Sequence, residues 1–171
     1  MGAWGVRSKE SDFGLDLLNL ISKEQLFKVD FAYFNVAEGI ALLEDYNRRT
    51  FGIEKKMPEA EAGQAETCIE YTVPSCIDDA LLLIAECVAD YYCDGQFEVH
   101  DFWSEPDKLT IRHIKEIIIT DADRQKLLDC LRRVLDPKSD QYNSWVDAKT
   151  TEEWKNLINE HIRLIETHSK Q

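Results

Sequence analysis

No stretch of this chain approaches the ~20 consecutive apolar residues that a membrane-spanning helix needs. The first twenty residues already carry Arg7, Lys9, Glu10, Asp12 and Asp16. Those charges break any signal-peptide core, so the expected location is the cytoplasm and no membrane partner is expected. The Met-Gly opening has Val6 where N-myristoylation wants Ser or Thr. None of the five cysteines forms a C-x-x-C pair. An odd count without that spacing predicts reduced, mostly buried thiols, with Cys87 and Cys130 inside apolar helical stretches. Also missing are a G-x-S-x-G elbow, a P-loop, a dinucleotide fingerprint and any internal repeat.

One further absence organises the charge. Between Met57 and Asp107 there is no Lys or Arg, against thirteen acids. Residues 1–56 hold nine acids and eight bases, and residues 108–171 hold eleven and twelve, so the net charge of −13 resides in the middle block. Such a field repels phosphate backbones, which argues against a nucleic-acid partner and for a basic protein or a cation.

What is present reads as mostly helical. At 171 residues the chain fits one domain, 1–171, burying roughly 70% of its unfolded surface. A first helix starts near Ser11 or Asp12 and carries Phe13, Leu17, Leu18 and Ile21. A second covers Phe34 to Tyr46, with Gly52 as a stop signal. The segment at about 54–66, poor in bulky apolar residues, reads as a polar loop or insertion. "TCIEYTV" has a short extended character, ended by Pro74.

Ser75 to Gly95 is apolar nearly all round, as a central helix should be, and Asp79, Glu86, Asp90 and Asp94 form one strip that faces either solvent or bases. "QFEVHDFW" alternates like a strand, and "LTIRHIKEIII" fits either strand or helix, with a minor strand preferred. Thr120 or Asp121 opens a helix through Leu127, Leu128, Leu131, Val134 and Leu135, closed by Pro137. In the last helix, Thr150 to Glu153 reads as a capping box ahead of a stripe of Trp154, Leu157, Ile158, His161, Ile162 and Ile165. The predicted class is a helical bundle of five to six helices with a minor β element.

The opening "GAWG", the Leu15-Asp16 pair, the central "ALLLIAECVA" and the terminal "CLRRVLDPKSDQYNSWVDAKTTEEWKNLINEHIRLIE" with its spaced tryptophans resemble the bacterial family catalogued as domain of unknown function 4259. The likeness spans most of the chain apart from about 54–66. It departs just after the tetrapeptide, where "VRSKESDF" is more basic than the family pattern. The resemblance implies a small cytosolic bacterial protein without an assigned reaction. Physically, Gly2 and Gly5 let the backbone approach closely, and Trp4 can bury on the order of 200 Å2. Trp4, Trp145 and Trp154 are therefore the expected structural anchors, with Trp4 packing near Trp145 or Trp154.

Candidate chemistry is sparse. Cys87, Cys93, His100 and Asp101 match no zinc spacing, and "DPKSDQYNSWVD" lacks the sixth-position glycine of a calcium loop, so neither metal nor cofactor is expected. Cys93 stands beside Asp90 and Asp94 at a helix C-terminus, which disfavours a thiolate. Glu98, His100 and Asp101 could form an acid–base site for a small hydrolase or lyase, although alternating strand residues explain the cluster as well. His161 reads as a core-edge histidine, and Arg132 and Arg133 as partners for the acidic strip. The preferred expectation is a non-enzymatic module that docks a basic partner protein on Asp79, Glu86, Asp90 and Asp94, small toxin-neutralising proteins being an analogy.

Overall fold

The fold comes from a computed structural model that describes residues 7–8, 14, 16, 18–20, 33–51, 74–100, 111–145 and 147–168, without the side chains at 47–51, 74–77, 98–100 and 111–112. In chain order the elements are β1 (Tyr33–Asn35), α1 (Val36–Phe51), α2 (Pro74–Asp94), β2 (Phe97–His100), β3 (Ile111–Ile114), β4 (Glu116–Ile118), α3 (Asp121–Val134), α4 (Asp140–Asn143) and α5 (Ala148–Thr167). Helical residues at 14, 16 and 18–20 belong to the first expected helix, with Leu18 buried and Asp16 exposed. The chain is mostly helical with a minor β component. Trp4, Asp101 and the segment at 54–66 lie outside the described residues.

The all-round apolarity of α2 is explained by its position. Every residue from Ala80 to Ala89 is buried, and α1, α3, α5 and β2 all pack against it. Pro74 occupies its first position, where a missing N–H costs nothing. At the other end Gly95 adopts φ 70° and donates its N–H to Tyr91 O at 2.8 Å, a left-handed stop that glycine adopts without strain.

Helix α1 approaches α2 through Gly39. A Cβ there would meet Phe34 Cζ at 2.4 Å and Ile84 Cδ1 at 3.1 Å. Phe34 belongs to β1, one element earlier than the periodicity of 34–46 suggests, and its buried ring meets Phe97 edge-on at 5.4 Å. β1 pairs in parallel with β4 (Phe34 opposite Ile117), while β2 pairs antiparallel with β3 (Phe97 opposite Ile114). The ambiguous "LTIRHIKEIII" thus supplies two strands with Lys115 alone between them.

Helix α3 opens with a complete capping box. Thr120 Oγ1 accepts from Asp123 N–H at 3.1 Å, and Asp123 Oδ2 accepts from Thr120 N–H at 3.2 Å. It buries Leu127, Leu128, Cys130, Leu131 and Val134. Helix α5 buries Trp154, Ile158, His161 and Ile165, one stripe at alternating spacings of four and three. Its cap corrects the sequence expectation: the helix begins one turn before Thr150–Glu153, and Asp147 Oδ1 accepts from Thr150 N–H at 2.8 Å. Asp caps as well as Thr, and here Asp147 takes the role that the sequence reading gave to Thr150. Trp145 and Tyr142 pack on Trp154, with ring centroids at 5.8 and 6.1 Å.

Candidate functional site

Positions 79, 86, 90 and 94 fall on one face of α2 because seven, four and four residues make nearly whole turns. They do not form one solvent-facing surface, however, which corrects the expected docking patch. Glu86 is 1% exposed, Asp79 and Asp90 are half-buried, and Asp94 is exposed. A helix packed on most of its circumference has little bare face left, so its carboxylates were bound to meet other elements.

Glu86 and Asp90 meet arginine. Glu86 Oε1 accepts from Arg7 Nε at 2.7 Å, and Glu86 Oε2 accepts from the Ser8 backbone N–H at 2.7 Å. One turn on, Asp90 Oδ1 accepts from Arg7 Nη2. Segment 7–8 therefore lies across α2, its guanidinium spread over two carboxylates. A carboxylate with 2% side-chain exposure is tolerable only when its charge is answered by an ion pair and hydrogen bonds. Burial alone would lower the Arg7 pKa, but Glu86 and then Asp90 outweigh it and raise it above the ordinary arginine value.

A second pairing stands at the start of α2. Asp78, 5% exposed, accepts from Arg133 Nη2 and, at 3.3 Å, from Arg133 Nε. Cys130 Sγ lies 3.6 Å from the same carboxylate. Arg133 thus reaches α2, at the residue beside the expected strip. Arg132 instead binds Glu166 on α5 at 2.5 Å. Next to Asp78, burial pushes the Asp79 carboxyl up to about 6, although Gln141 Nε2 at 3.5 Å works in the opposite direction.

Two thiols, Cys93 and Cys130, are held away from reactivity. Burial first, and Asp78 after it, push the Cys130 thiol up, and Asp94 does the same for exposed Cys93. A thiolate nucleophile needs the reverse. Cys87 is buried, as its position in α2 suggests. Glu98 and His100 lie on β2, opposite His113 and Ile111 in register, but their side chains fall outside the described residues. Among the described residues, no group of three or more His, Cys, Asp or Glu side chains is arranged to hold a metal ion. No described helix is long and apolar enough to cross a membrane.

The sequence singled out the carboxylates and Arg133 but not Arg7 and Ser8, which answer Glu86 and Asp90. Arg7 and Ser8 stand 79 and 78 positions from Glu86, beyond any local pattern. The available signal was the basic character of "VRSKESDF" set against a block without bases. No family model matches the chain, and no curated protein or solved structure matches it either.

Proposed function

We propose that this chain is a non-enzymatic protein-binding module that receives a basic partner protein at the C-terminal end of α2, through Asp90 and Asp94 with Glu86 beneath them. The observation that carries the proposal is that α2, embedded in a block without Lys or Arg, draws guanidinium groups from two remote parts of its own chain, Arg7 and Arg133. Carboxylates in this setting favour guanidinium because its planar fork can serve two acceptors at once. Asp90 and exposed Asp94 mark the accessible end of the strip. The raised thiols of Cys93 and Cys130 give no support to nucleophilic chemistry. The resemblance read from the sequence assigns no reaction and neither adds to nor opposes this proposal.

The test is capture of basic proteins by wild type and by an Asp90→Asn/Asp94→Asn variant across ionic strength. The Debye length shrinks from about 30 Å at 0.01 M to about 3 Å at 1 M, so capture should fall steeply over that range. At low salt the double variant should capture far less than wild type. Capture that persists in high salt and survives the double substitution would refute the proposal.

A further inference from the structure

The contact between segment 7–8 and α2 has the form of a recognition complex within one chain. Glu86 offers one oxygen to a guanidinium N–H and the other to a main-chain N–H, both at 2.7 Å. Asp90 takes a second guanidinium nitrogen. These three contacts need only a guanidinium and the main-chain amide that follows it, which any Arg-X dipeptide in a similar bend presents. Exposure differs sharply across the contact: the Arg7 side chain is 32% exposed, whereas that of Glu86 is 2% exposed. The arginine lies at the rim and the carboxylate at the floor.

We infer that the Arg7–Ser8 segment is a displaceable strap, an intramolecular occupant of the Glu86–Asp90 seat that gives way to an arginine-bearing segment of the basic partner. This regulation rests on the binding function proposed above. A tethered occupant acts at an effective concentration on the order of millimolar, so a partner must supply several contacts, or local abundance, to displace it. Lysine is a poor substitute, because one ammonium cannot serve two separate carboxylates in fork geometry. The strap also keeps a nearly buried carboxylate answered while no partner is bound, which an open seat would not do.

An arginine-rich peptide, with a lysine-rich peptide of equal charge as control, tests the strap. On wild type, saturating arginine-rich peptide should abolish the hydrogen-exchange protection of the Ser8 amide. Arg7→Gln should bind that peptide at least tenfold more tightly than wild type, because the internal competitor is gone. If Arg7→Gln does not fold, Ser8→Pro removes the main-chain donor to Glu86 and restrains the backbone of Arg7, and should give a gain in the same direction. The lysine-rich peptide should bind about tenfold more weakly than the arginine-rich one. If wild type binds the peptide while Ser8 stays protected and neither variant gains affinity, the strap is refuted and the binding function stands. If no form of the protein binds basic peptides or basic proteins, both fall together.

Discussion

Replacing Asp79 by Asn should make the protein more stable at neutral pH, by an amount that depends on pH in a defined way. Burial holds the Asp79 carboxyl up at about 6 against an ordinary value of 3.8. The folded chain therefore binds that proton more tightly than the unfolded chain does. The stabilisation linked to the proton is complete below about pH 4 and is lost as the pH rises through about 6. By pH 7.5 the full difference corresponds to about 3 kcal/mol, and water reaching a half-buried carboxylate reduces it to about 2 kcal/mol. Asparagine carries no charge to desolvate and keeps an oxygen for Gln141. Urea unfolding at pH 4.5, 6 and 7.5 should show Asp79→Asn ahead of wild type by about 2 kcal/mol at the highest pH, with the gap shrinking towards the lowest. Equal stability at pH 7.5, or a gap that does not vary with pH, would refute the reasoning.

Two substitutions test the packing and the caps. Gly39→Ala places a methyl group 2.4 Å from Phe34 Cζ, and Phe34 and Ile84, at 1% and 0% exposure, can yield only into a packed interior. It should cost about 1–3 kcal/mol, read as a lower urea midpoint; an unchanged midpoint would mean that α1 and α2 do not approach so closely. Thr120→Ala removes the acceptor for Asp123 N–H and should cost about 1 kcal/mol. Calorimetry should show a melting temperature about 2–4 °C lower, with Thr120→Ser close to wild type.

Where local chemistry decides, the sequence was legible. Thr120 and Pro137 bracket α3 because a capping side chain and a residue that cannot continue a helix act within a turn of themselves. The stripe from Trp154 to Ile165 announces α5, since only one face of that helix is covered. The run from Leu109 to Ile119 fits either period, because consecutive β-branched residues satisfy both, and the preferred minor strand element is what forms, although as two strands split at Lys115. Helix α2 was legible in kind but not in orientation. Being apolar all round, it carries no marker of which side faces water, so Glu86 looked like a surface acid although it sits almost wholly buried against Arg7. The same limit hid the choice of Asp147 over Thr150, two good capping residues whose ranking depends on where the incoming chain turns.

The parallel ribbon of β1 and β4 has a consequence for how the molecule comes into being. Its two strands are separated in the chain by all of α1 and α2, and pairing across so long a loop is entropically slow. On the ribosome, Phe34 has no strand to close over until Ile117 has emerged, although it ends fully enclosed. A strand made before α1 and α2 can thus be finished only after both of them.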